Sequence, residues 1–164
     1  MVHAFISSRL DYCSTLLQGI SGAQIARLQS VQNAAAHLIT GSRRHEHISP
    51  ILHDLHSLRI SQRVEFRTAL TVFKCLNGLA PPYLVDLCMP LRTINRPSGL
   101  RSNTSNQLHV PRTRTSIGGR SFAVSGPTTW NRLPAQLQDP SLSLPVFART
   151  LKTHLFANTH AAHS

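Results

Sequence analysis

The sequence predicts a mainly α protein: an N-terminal helical bundle, then a basic loop, a short β-hairpin and a closing helix. Three observations predict it. Apolar residues recur at three- and four-residue spacing as far as Leu87, the pattern breaks at Pro90 into an acid-free and arginine-rich stretch, and the spacing resumes after Ser143. With 164 residues, 41% of them hydrophobic, the chain has the length of about one domain and the apolar content for a core, although aromatics are sparse at 5%.

Val2, Phe5, Ile6, Leu10, Cys13, Leu16 and Leu17 share helical spacing, so residues 2–18 are expected to form an amphipathic helix stopped by Gly19. Ser21 and Gln24 form a capping box for a second helix through Thr40, with Ile25, Leu28, Ala35, Leu38 and Ile39 on its inner face and Gly41 as its stop. Ser49-Pro50 starts a short third helix through Leu55. Ser61 is read as the cap of a fourth, whose apolar positions Phe66, Ala69, Leu70, Phe73 and Leu76 run to Asn77-Gly78. Pro81-Pro82 opens a turn of helix, "YLVDLC".

Residues 90–106 are rich in Ser, Asn, Thr and Arg without an apolar period and read as a loop. "QLHVPRTRT" and "GRSFAVSG" flank Ser-Ile-Gly-Gly and read as two short strands around a turn, with Pro111 keeping the first at an edge. "PTTWNRLP" is expected to be a turn of helix closed by Pro134, and Ser143 to cap a last helix with Phe147, Leu151 and Leu155 along one side. The organisation read from the sequence is a helical region over 1–89, a basic linker over 90–106, a C-terminal segment over 107–158 and a disordered tail over 159–164.

Charge narrows the partners. Seventeen basic residues face six acids, for a net charge of +11, and only Lys74 and Lys152 among the seventeen are lysines. Arginine offers a planar fork suited to bidentate phosphate contacts, so a polyanion is the first partner to consider. A GC-rich coding sequence also favours Arg over Lys and is the plain alternative. Between Leu87 and Gln138 there is no acid, yet there are seven arginines: Arg92, Arg96, Arg101, Arg112, Arg114, Arg120 and Arg132. In the expected hairpin, Arg112 and Arg114 alternate onto one face of a strand and Arg120 returns on its partner. These three, with Arg43, Arg44 and Arg101, are the candidate nucleic-acid contacts, against the alternative of an edge strand blunted by charge. Trp130, the only tryptophan, is read chiefly as a core anchor and alternatively as a stacking plate for bases.

Signals for chemistry are weak. Cys13, Cys75 and Cys88 lack the paired spacing of a disulfide framework or zinc knuckle and read as buried thiols of an intracellular protein. His45-x-His47 and His53-x-x-His56 invite a metal reading, but a closed zinc site wants four ligands and no cysteine is near. The six acids are scattered singly, and no nucleophile signature occurs, so neither catalytic nor metal residues are assigned. No run approaches the ~18 apolar residues of a membrane span. The start lacks the pattern of a signal peptide and reads as the middle of a folded element.

Several strings in order carry a family resemblance: "FISSRLDYCSTLLQGI", "LQSVQNAAAHLITG", "GLAPPYLVDL", "VPRTRT", "GGRSFAVSGPTTWNRLP" and "LKTHLF". From about Val2 to Phe156 the chain resembles the thumb and C-terminal segment downstream of the polymerase core in non-LTR retrotransposon (LINE) reverse transcriptases of the CR1/L2/Rex kind. It departs from them in "LHSLR", where Ser57 stands for a usual Trp and Arg59 for a usual Pro, and at His37, where Arg is usual. The resemblance implies a fragment of an RNA-directed DNA polymerase. Fingers and palm, whose Phe/Tyr-x-Asp-Asp motif holds magnesium, lie outside the matched region, and no Asp-Asp pair occurs in this sequence. It thus implies no catalysis by this chain alone, no cofactor of its own, RNA or DNA as a partner through phosphate contacts, and the palm and fingers of the parent polymerase as a protein partner. It also implies a nuclear or cytoplasmic ribonucleoprotein setting. Two alternatives stay open: a decayed transposon-derived frame without selected function, and a basic protein-interaction module.

Overall fold

The computed structural model describes Ser8 and residues 17–43, 45–93 and 106–161. The protein is mainly helical: α1 (Gly22–Thr40), α2 (Ile48–Asp54), α3 (Ile60–Leu76), α4 (Pro82–Val85), α5 (Ser116–Arg120), α6 (Phe122–Asn131) and α7 (Leu144–Ala161), with 3-10 turns at Leu91–Thr93 and Ala135–Leu137. The helix expected over 2–18 falls almost wholly outside the described residues. The chain divides into two compact units, Met1–Arg67 with Leu155–Ser164, and Thr68–His154.

In the first unit Ser21 caps α1, its hydroxyl accepting from the Gln24 amide at 3.4 Å, and Gly41 ends the helix with φ +68°, a left-handed conformation that glycine adopts without strain. α2 packs on α1 through Ala36, Ile51 and Leu52, with Ile48 and Leu55 at the margin. The inner face differs from the expected one, because Leu38 is 73% exposed while Gln32 is 4% exposed. That buried amide is fully engaged. Its Nε2 donates to Ser57 Oγ at 3.0 Å and to Leu58 O at 2.8 Å, and its Oε1 accepts from Gln29 Nε2 at 2.9 Å.

The polar pairs explain how Ser57 and Arg59 are accommodated. Ser57 Oγ also accepts from Arg63 Nη1 at 3.2 Å, Arg59 Nη2 donates to Ser49 Oγ at 2.8 Å, and the Arg59 backbone amide donates to Gln62 Oε1 at 3.2 Å. Gln62, not the expected Ser61, thus serves the start of α3, and Gln29 Oε1 takes the Ile60 amide at 2.9 Å. Gln32→Met keeps the shape and removes the bonds. It is expected to lower stability by about 1–3 kcal/mol, the cost of stranding buried partners, as read from urea unfolding.

In the second unit the C-terminal half of α3 buries Thr68, Ala69, Val72, Phe73 and Cys75, so the inner stripe is rotated away from the expected Leu70 and Leu76. Phe73 stacks on Phe147 of α7 with ring centroids 4.2 Å apart and an interplanar angle of 15°. The expected stripe of the last helix is observed, since Phe147, Leu151 and Leu155 are all buried. Residues 159–161, read from the sequence as the beginning of a disordered tail, instead continue α7, whose residues 144–161 stay helical. Residues 162–164 lie outside the described part.

Cys75 and Cys88 are both buried and share a thiol hydrogen bond. Burial above all, and the neighbouring Cys75 sulfur, push Cys88 from 9.0 up to about 12, and burial raises Cys75 as well. Both thiols are therefore expected to resist iodoacetamide at pH 8 in the folded protein and to react on denaturation. In the unfolded chain they ionise first. The folded state then holds more protons above about pH 9, and stability is expected to fall as the pH rises from there towards 12. Denaturation midpoints across that range check the sign.

Candidate nucleic-acid interface

The expected hairpin does not form, and among the described residues there is no strand. Residues 107–109 are extended, but they pair with 89–91: Leu91 N donates to Gln107 O at 3.0 Å, His109 N donates to Met89 O at 2.9 Å, and an isolated antiparallel bridge joins Pro90 to Leu108. The other edge of Leu108 is taken by a side chain. Asn131 Oδ1 accepts from Leu108 N and Asn131 Nδ2 donates to Leu108 O, both at 2.8 Å, as a strand backbone would.

Ser-Ile-Gly-Gly is not a turn between strands but the body of α5. Thr115 caps it, with Oγ1 accepting from Gly118 N at 3.0 Å. Gly118 is packed so closely that a Cβ there would lie 3.2 Å from Thr113 Cβ. "FAVSG", expected to be the second strand, instead opens α6. Phe122, Gly126 and Trp130 fall at four-residue spacing on that helix, and a Cβ on Gly126 would lie 3.2 Å from Val72 Cγ2 and 3.1 Å from Phe122 Cε2. Close packing of the glycine face against α3 overrides the two-residue alternation of Phe122 and Val124.

Trp130 is 3% exposed, with its ring centroid 6.0 Å from that of Phe147 and 6.5 Å from that of Phe73, and Nε1 donates to Asn106 O at 2.8 Å. It is the core anchor and offers no open face for base stacking.

What the segment presents outward is charge. Arg112 and Arg114 lie in the non-helical stretch before Thr115, Arg120 ends α5, and all three are exposed. Among the described residues none of the three makes a side-chain hydrogen bond or ion pair. Without the hairpin, strand register no longer brings them to one face. Their shared property is exposure on one segment held down at both ends, by the Leu108 pairing and by α6. Arg43 is exposed in the other unit, where its backbone amide donates to Glu46 Oε1 at 3.0 Å. Arg44 and Arg101 lie outside the described residues.

Among the described residues no group of three or more His, Cys, Asp or Glu is placed to hold a metal. The His53 ring nitrogen Nδ1 lies 3.8 Å from Asp54 Oδ1, and His56 Nδ1 lies 3.1 Å from Asp54 O. No helix among the described residues is long and apolar enough to cross a membrane. Compared with known proteins, the chain matches no family model, no curated protein and no solved structure.

Proposed function

We propose that this chain is a nucleic-acid-binding segment of a non-LTR retrotransposon reverse transcriptase, gripping the phosphates of template RNA or target DNA and leaving synthesis to the palm of the parent polymerase. The observation that carries the reading is the exposure of Arg112, Arg114 and Arg120 on an anchored segment, within a stretch that holds no acid from Leu87 to Gln138. An arginine without an internal partner keeps its full fork for a phosphate. The ordered strings shared with that family support the choice of parent.

Binding through phosphates has a measurable signature. Affinity for a labelled single-stranded RNA should fall linearly on a log–log plot with salt, by about 0.7 units per phosphate contact, and scrambled sequences should differ by less than about tenfold. In this reading magnesium belongs to the palm, so EDTA should leave the affinity unchanged. Fluorescence anisotropy between low and moderate salt provides the test. Absence of binding at low salt, or binding indifferent to salt, contradicts the proposal.

A further inference from the structure

A cavity of about 120 Å³ opens in the Thr68–His154 unit beside the aromatic core. Its apolar wall includes Phe73, Leu108 and Trp130. Its polar wall consists of three amide side chains and one carboxylate: Asn77, Asn106, Gln138 and Asp139. The amides have already spent their donors on the fold. Asn77 Nδ2 donates to Phe73 O at 2.8 Å, Asn106 Nδ2 to Gln138 O at 2.8 Å, and Gln138 Nε2 to Trp130 O at 2.8 Å and Leu133 O at 3.1 Å. What remains is Asn77 Oδ1, Asn106 Oδ1, Gln138 Oε1 and the Asp139 carboxylate, and among the described residues no side chain donates to any of them. The polar wall is left with acceptors.

That inventory selects a ligand. An acceptor-only wall rejects phosphate and carboxylate, and an aromatic wall suits a flat group over a compact ammonium. The volume equals roughly four water molecules at about 30 Å³ each, the scale of a planar head group and too small for a drug-sized ligand. Asp139 supplies the negative charge. Its Oδ1 accepts from the Ser141 backbone amide at 2.8 Å, and the Ser141 hydrogen bonds hold the carboxyl below the usual aspartate range, so it is ionised at neutral pH. In a chain of net charge +11, a cation is drawn only to such a local set of acceptors.

We propose that this cavity binds a guanidinium group, stacked beside Trp130 with its N–H fork directed at Asp139 and the free amide oxygens. The head group can arrive as a free guanidino compound or as an arginine side chain of a polypeptide. The site is separate from the arginine segment and does not depend on the nucleic-acid reading.

Trp130 is the chain's only tryptophan and forms part of the cavity wall, so its fluorescence reports occupancy directly. Acetyl-arginine amide, its neutral isostere acetyl-citrulline amide, and guanidinium chloride at non-denaturing millimolar concentrations are titrated into the full chain at constant ionic strength. Saturable quenching or shift by the arginine probe is expected, with citrulline weaker by roughly 3- to 10-fold. Asp139→Asn keeps an Oδ1 acceptor for the Ser141 amide while removing the charge, and it should weaken arginine binding by the same factor with citrulline unaffected. Should guanidinium match acetyl-arginine amide, the head group suffices and a free compound is the source. Tighter binding of acetyl-arginine amide identifies a polypeptide arginine. A non-saturable response, equal affinity for arginine and citrulline, or no effect of Asp139→Asn overturns the proposal.

Discussion

Trp130→Ala is expected to lower stability by about 3–5 kcal/mol, the largest loss of any single change considered. The indole is 3% exposed, and its ring packs against Phe73 and Phe147, two of the largest fully buried side chains. Truncation leaves a cavity between α3, α6 and α7 that rigid helices cannot close, and it strands Asn106 O, which now accepts from Nε1 at 2.8 Å. Small domains have about 5–15 kcal/mol of stability in total, so the loss takes a third or more of it. Trp130→Phe separates the contributions: it keeps a ring in the cluster and forfeits the Asn106 bond, and should cost distinctly less than Ala. Urea unfolding followed by circular dichroism reads both. A midpoint for Trp130→Ala within about 1 kcal/mol of the parent chain would show that the aromatic cluster is not the centre of this unit.

The helices were legible in the sequence wherever a local signal and an apolar stripe agreed. Ser21 and Gly41 bracket α1 as expected, and Phe147, Leu151 and Leu155 point inward as their spacing predicts. The hairpin was misread because two periods coexist in "RSFAVSGPTTW". Phe122 and Val124 alternate as in a strand, but Phe122, Gly126 and Trp130 also lie one helical turn apart, and only the close fit of Gly126 against Val72 chooses between them. Gly118-Gly119 reads locally as a turn, while Thr115 just before it acts as a helix cap.

The amide clamps could not be read at all. Gln32 reaches residues 57 and 58, and Asn131 reaches back to Leu108. A glutamine or asparagine shows no periodicity that announces a partner more than twenty residues away. The acceptor-lined cavity follows from the same bonds, since the donors of Asn77, Asn106 and Gln138 are consumed only once the chain has folded. The exposed arginines were legible as charge, and their placement was not. The strand register that would have aligned Arg112, Arg114 and Arg120 is absent, and exposure on an anchored segment stands in its place.

Replacing Arg112, Arg114 and Arg120 together by glutamine is the second large effect expected. Each phosphate contact contributes about 0.7 units to the log–log salt slope on a single strand and about 0.9 on duplex DNA, so three lost contacts flatten the slope by roughly two to three units. Because none of the three side chains has a partner within the described structure, the circular dichroism spectrum should not change. A matched control removes equal charge elsewhere, at Arg27, Arg132 and Arg149, which are also exposed. The deciding measurement is therefore the salt slope of RNA binding for the parent chain and both triple variants. The account predicts a loss of two to three units for Arg112, Arg114 and Arg120 and less than about one for the control. Equal flattening by both triples would show that net charge alone holds the nucleic acid, and would contradict a role for the anchored arginine segment.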